Sequence, residues 1–257
     1  MGKTKVAENN QLIGDIVFKG AYGVVKYEGV LDSQVASKMG KLAGRYSTLN
    51  CSLIIHSSIK ARKYVTNLLA QTLITYLRYP IKVLVVGMGN AFMVADSLGS
   101  VVVKNLLTTH NWVDLINTGL GDVSGLITGV SGINGFDTSE LVRCVVNMLQ
   151  PNQVVLIDTF MAKDSSRIGC SFQLSDTGIR AGGGLNSGNK TIDKSLLGVP
   201  TICIGVPLMI DATAFGAEES FTLTPKEIDI YTTTCGKILA HALNFALHGK
   251  NYKNFLY

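Results

Sequence analysis

Ile81 to Leu107 reads I-K-V-L-V-V-G-M-G-N-A-F-M-V-A-D-S-L-G-S-V-V-V-K-N-L-L, and this stretch decides the fold. Its opening, Ile81 to Val86, is a continuous apolar run of the kind a strand shows when both sheet faces are covered. Gly87 and Gly89 then mark a tight turn, and the spacing after it predicts a helix opening at Asp96. Strand, glycine turn, loop and helix form an α/β unit, and Asp96 falls where such folds keep their sites, beyond the carboxyl end of a strand.

The flanking sequence extends the same pattern. Upstream, Val65, Leu68, Leu69, Leu73, Ile74 and Leu77 lie on one face of a helix expected over Arg62 to Arg78, which Pro80 stops. Downstream, Asp137 followed by Glu140 is a capping box, so a helix is expected over Thr138 to Leu149, ended by Pro151. Gln153 to Asp158 (Q-V-V-L-I-D) is a second apolar run, placing Asp158 at a strand's carboxyl end. Ile168 to Leu174 and Pro200 to Val206 read as further strands. Between them lies a long Gly- and Asn-rich loop, of a length that is usually functional. Thr224, Pro225 and Glu227 predict a final helix to about His248, closed by Gly249. Gly119 to Gly135 carries six glycines and too little bulk for a regular element of its own.

Strands alternating with helices give the α/β class: a three-layer α/β/α architecture with a mostly parallel or mixed central sheet. Two β-type runs (Ile13 to Phe18, Val24 to Val30), a short helix over Ser33 to Met39 and a strand from Tyr46 to Ile55 precede it. They predict a small N-terminal β-rich appendage over residues 11–60 of a single domain, residues 11–257. Residues 1–10 read as flexible or tag-like.

Composition narrows the function classes. The 257 residues are 47% hydrophobic and 16% charged, so the chain can bury a full core. Its apolar runs are too short for a membrane span, and the polar N-terminus lacks a signal-peptide core, which predicts a soluble, non-secreted protein. The net charge of +5 is spread without a basic run, which does not predict direct nucleic-acid binding. Five cysteines make no C-x-x-C pair, which favours a reducing compartment and argues against a structural zinc site.

Familiar catalytic motifs are missing. Gly87-Met88-Gly89 lacks the third glycine of a dinucleotide fingerprint, no phosphate loop or G-x-S-x-G elbow occurs, and the four histidines are scattered. Ser175-Asp176-Thr177-Gly178 contains the D-T-G of pepsin-like proteases, but those folds are all-β and need two copies. The remaining candidates are carboxylates. Asp96 and Asp158 are both placed at one sheet edge, where two close carboxylates share a proton, one activating water while the other donates. On the residues alone, Asp96 as a helix cap and Asp158 as a strand-end backbone partner remain open alternatives.

Several motifs in colinear order resemble the germination protease family of endospore-forming bacteria. They are V-L-V-V-G-M-G-N (Val83 to Asn90) with A-D-S-L-G-S (Ala95 to Ser100), F-D-T-S-E-L-V (Phe136 to Val142), and V-L-I-D (Val155 to Asp158). F-Q-L-S-D-T-G-I (Phe172 to Ile179), L-G-V-P-T-I-C-I-G-V-P (Leu197 to Pro207) and T-P-K-E-I-D (Thr224 to Asp229) complete a similarity running from about Leu31 to His248. The resemblance implies an aspartic endopeptidase related in fold to hydrogenase-maturation peptidases. It further implies a homotetramer made as an inactive precursor, degrading small acid-soluble spore proteins in the spore core during germination. The family's catalytic aspartates fall on Asp96 and Asp158, with Asn90, Asp176 and Gly178 as supporting or substrate-binding positions, and neither metal nor cofactor is expected. Ala95 and Ser100 replace family prolines, and little room precedes Leu31 for a long propeptide. Two other readings stay open: a metal-assisted peptidase of the hydrogenase-maturation type, and a catalytically silent paralogue that binds spore proteins.

Overall fold

The computed structural model of the chain describes residues 14–51, 54–112, 118–180 and 191–255. The expected flexible N-terminus, and residues 181–190 of the Gly- and Asn-rich loop, lie outside these.

At the centre stand β4 (Lys82–Met88), β6 (Gln153–Ala162) and β10 (Thr201–Asp211), mutually parallel. Their apolar runs split by alternation between two cores. Val83, Val85, Val155, Ile157, Ile202 and Ile204 face α2 (Ile59–Ile74), α3 (Leu98–Lys104) and a long C-terminal helix, which we label α5 (Ile228–His248). Leu84, Val86, Val154, Leu156 and Cys203 face the opposite layer, built from α4 (Thr138–Leu149) and a helical turn at Lys194–Leu197. The result is a three-layer α/β/α fold, as the uninterrupted hydrophobicity of these strands requires. No helix among the described residues is long and apolar enough to cross a membrane.

Among the described residues the sheet has nine strands. Eight run in the order β1 (Asp15–Lys19), β2 (Val24–Leu31), β3 (Gly44–Cys51), β7 (Ser171–Ser175), β10, β6, β4 and β5 (Asp122–Gly129), and β11 (Thr222–Leu223) pairs with β10, while β8 (Ile179–Arg180) and β9 (Thr191–Ile192) pair with each other apart from this sheet. Its β10–β5 half is parallel and its β1–β7 half antiparallel, so the sheet is mixed. The N-terminal β-rich part joins this sheet through β3 and β7, with α1 (Ser33–Lys38) capped by Asp32 in the β2–β3 connection.

Several boundaries differ from the sequence expectation, α2 among them, which runs Ile59–Ile74 rather than Arg62 to Arg78. The glycine-rich passage does form an element, β5, because backbone pairing with β4 supplies what its side chains lack, while Val123 fills one core and Leu126 packs against the other. β6 runs on past Asp158 to Ala162, since pairing with β10 continues through Ala162↔Ile210. Asp158 therefore lies within a strand, one residue beyond the last β4 pair, Gly87↔Ile157. β10 likewise continues past Val206, with a register shift between Pro207 and Met209 that accommodates a proline without an N–H. The last helix starts at Ile228 rather than after Thr224, because Thr222 and Leu223 are held by β10.

Candidate active site

The chain reverses at Gly89, where φ is +95°. A Cβ there would stand 2.2 Å from the Asp96 carbonyl oxygen and 2.9 Å from its Oδ1, so a side chain would expel the aspartate from its place. Asp96 does not open the helix as expected. It ends a 3-10 turn, Val94–Asp96, and the helix begins two residues later at Leu98. Its carboxylate turns back on the β4 turn instead, where Oδ2 accepts the Asn90 backbone N–H at 2.7 Å. Asn90 is in turn fixed by its own Oδ1, which accepts the Phe92 N–H at 2.9 Å. Thus the residues between strand and helix form an arch that aims Asp96 toward β6.

Asp158 shares a sheet face with Leu156 and Phe160 and neighbours Gly205 of β10. Thr159 N–H donates to its Oδ1 at 2.9 Å. Burial drives the Asp158 pKa up to about 7, and the Asp96 charge adds to the rise, while the Thr159 bond opposes it. Burial also raises Asp96, against the Asn90 bond. The two sequence-designated carboxylates therefore stand within electrostatic reach of one another, and burial disfavours the charged form of both.

A cleft of about 610 Å³ opens on the same face. Phe160 and Cys203 form its floor, Gly178 and Ile179 one flank, and Lys41, Leu42 and Tyr46 the other. Phe160 lies across Gly205, where any Cβ would come within 2.2 Å of the ring. Sequence reasoning missed Phe160, Lys41 and Tyr46, since the wall from the β2–β3 connection comes from residues read as an appendage. Phe92 and Met93, in the arch before Asp96, and Met161 of β6 are exposed.

The supporting candidates separate in space. Asn90 is in the dyad arch and Gly178 in the cleft wall, where a Cβ would meet Asp193 Cβ at 2.4 Å. Asp176 is elsewhere: it is exposed, its Oδ1 accepts the Arg45 N–H at 2.7 Å, and it lines a different cleft with Arg78, Lys194 and Thr201. Antiparallel pairing of Ser175 with Cys203 puts Asp176 toward the start of β10, away from Asp158. His110 is bonded to Asp122 at 2.8 Å and His248 to the Leu107 carbonyl at 2.9 Å. Among the described residues no three His, Cys, Asp or Glu side chains group as metal ligands. Cys51, Cys170, Cys203 and Cys235 are buried free thiols and Cys144 is an exposed one.

Comparison with known families adds a decisive match: the family described as germination protease aligns with residues 4–220. The chain belongs to the germination protease family. Within that family, it is 31% identical to the germination protease of Bacillus thuringiensis subsp. konkukian over 205 residues, covering 76% of this chain and 56% of the relative. It is 32% identical to that of Bacillus licheniformis over 197 residues, covering 73% of this chain and 54% of the relative. The chain thus spans about half the length of the curated relatives it matches. Among solved structures it is similar to a [NiFe] hydrogenase maturation protease HycI from Thermococcus kodakarensis KOD1. That likeness has a TM-score of 0.42 and 19% identity, and it covers 67% of this chain and 98% of the other. Both aspartates lie inside the stretch that matches the germination proteases, whereas the helix α5 lies beyond it.

Proposed function

We propose that this chain is an aspartic endopeptidase of the germination type, cleaving small acid-soluble spore proteins with Asp96 and Asp158 as an acid/base pair. The observation that carries this reading is the pair itself: two carboxylates at one sheet edge, with Asp158 raised to about 7 by burial and by Asp96. Near neutral pH the pair holds one proton. Asp96, bonded to the Asn90 N–H and less strongly perturbed, is the ionised member and takes a proton from water. The resulting hydroxide equivalent adds to the scissile carbonyl carbon while protonated Asp158 donates to the developing oxyanion. Collapse of that tetrahedral species breaks the C–N bond, with the proton held by Asp96 passing to the departing amine and a gem-diol hydroxyl returning its proton to Asp158. The peptide lies in the cleft floored by Phe160, and the exposed Phe92 and Met93 of the arch border the reacting bond. The family relationship supports the spore-protein substrate, an inactive precursor and a homotetramer in the spore core.

The test is a mass-spectrometric digest of a spore-protein mixture by wild type, Asp96→Asn and Asp158→Asn. Each variant is expected to lose about a hundredfold or more in rate, the span general acid/base groups usually supply. Cleavage by either variant at the wild-type rate rules out the dyad. Rate loss on chelation that a divalent ion restores would show instead that a metal participates. Light scattering on the purified protein tests the tetramer.

A further inference from the structure

A second cleft, of about 270 Å³, opens at the other end of the parallel strands, where β6 begins at Gln153 and β10 at Thr201. Asp158 lies further along β6, so this cleft is separate from the carboxylate pair. Three cations line it: Arg45 from β3, Arg78 from the chain after α2, and Lys194 from the helical turn after β9. Arg45 is held in place, its guanidinium 4.2 Å from the centre of the Tyr76 ring. Nη1 donates to the Thr75 carbonyl at 3.1 Å and Nη2 to Thr75 Oγ1 at 2.8 Å. Its side chain's acidic partner among the described residues, Glu28, is 3.5 Å away and pairs more closely with Lys26, at 2.8 Å. Arg78 and Lys194 are exposed and enter no ion pair with a described residue. One carboxylate lines the cleft, that of Asp176, and its Oδ1 accepts the Arg45 backbone N–H at 2.7 Å. Three cations against one carboxylate leave two positive charges over. Thr201 also lines the cleft; it is 2% exposed, and its hydroxyl meets no hydrogen-bond partner among the described residues. A buried hydroxyl without a partner is unfavourable, and a ligand oxygen that completes it removes the penalty. A carboxylate brings two oxygens and one charge, whereas a phosphate monoester brings three oxygens and close to two charges near neutral pH. The spare charge and the separate donors match the phosphoryl group, which guanidinium forks and ammonium groups both bind by charge-assisted bonds.

We propose that Arg45, Arg78, Lys194 and Thr201 form a binding site for a phosphoryl group, separate from the peptide cleft and independent of the peptidase reading. Inorganic phosphate and a small phosphate monoester offer the same group, so the experiment separates the two sources.

The full chain is titrated by calorimetry, at fixed ionic strength, with inorganic phosphate, glycerol 3-phosphate and acetate. Phosphate or its ester is expected to bind saturably at one site per chain, about tenfold or more tightly than acetate. Tighter binding of the ester assigns the site to phosphate monoesters, and equal or weaker binding assigns it to free phosphate. Arg78→Met and Lys194→Met should each weaken binding about tenfold, one charge-assisted bond's worth, and Thr201→Val should weaken it by less. Asp176→Asn keeps an acceptor for the Arg45 N–H and removes the opposing charge, so it should tighten binding. Because Arg78 and Lys194 are exposed, their variants keep the test independent of folding if Thr201→Val is unstable. Lys104→Met, at an exposed position of α3, should change nothing. The proposal is overturned if neither phosphate gives saturable heat, or if Arg78→Met and Lys194→Met bind as wild type does. A loss in Lys104→Met as large as in those two variants also overturns it, since the attraction would then be general. Acetate binding as tightly as phosphate overturns it in favour of a carboxylate.

Discussion

Asp158 stores the cost of the site in a titration. Its unfolded form ionises near the ordinary carboxylate range, its folded form at about 7, so between those values the folded protein binds the extra proton. Stability therefore falls as pH rises through that window, by on the order of 1.4 kcal/mol per pH unit, and is lowest above pH 7. Asp158→Asn removes this dependence. Chemical denaturation is expected to show the variant gaining a few kcal/mol over wild type at pH 8 and nothing at pH 4; equal curves at both would mean the carboxyl is not perturbed. Cleavage by the wild type should decline on the alkaline side of about pH 7, as Asp158 loses its proton, and on the acid side as Asp96 gains one. At Gly89, Ala adds a Cβ 2.2 Å from the Asp96 carbonyl oxygen at a φ of +95°, so the arch must open. Gly89→Ala should cost roughly 1–3 kcal/mol in a denaturant melt and at least tenfold in cleavage, with Asp96 displaced from the Asn90 N–H.

Among the elements, α4 and β5 show how local and non-local terms divide the work. Asp137 accepts the N–H groups of Ser139 at 2.8 Å and Glu140 at 3.1 Å, a local cap at the start of α4. Asp137→Ala is expected to lower the midpoint of thermal unfolding by the equivalent of about 1 kcal/mol, with no change in the carboxylates' titration. β5 has no such local support: Gly125 and Gly129 contribute no packing, and the strand exists because β4 offers a ladder beside it. The arch from Gly89 to Asp96 is intermediate, since its turn is written in glycines while its target, β6, is chosen by pairing.

Across the whole molecule, one sheet ties the N-terminal strands to the dyad. Phe172 on β7 is fully buried where the antiparallel half meets β10, and it belongs to the core shared by α2 and α5. Phe172→Ala is expected to destabilise by about 3–5 kcal/mol in equilibrium unfolding, and to weaken both halves together rather than release β1–β3 alone. The same continuity explains how Lys41 and Tyr46, far from Phe160 in sequence, come to wall the cleft that Phe160 floors: β3 pairs with β7, β7 with β10 and β10 with β6.

By itself the sequence determined the elements whose cause is local: the apolar strands β4, β6 and β10 and the capped helix α4. Each rests on periodicity, a capping side chain or a glycine turn, which act over a few residues. The tertiary structure decided what depends on a neighbour. It turned Asp96 from a helix cap into a carboxylate held by Asn90, extended β6 past Asp158, and made a strand of a glycine-rich passage. It also set Asp176 apart from the dyad despite its familiar motif, because antiparallel pairing carries β7 toward the opposite end of β10. Strand pairing and burial are settled between segments distant in the chain, so they leave no periodic trace in either segment alone.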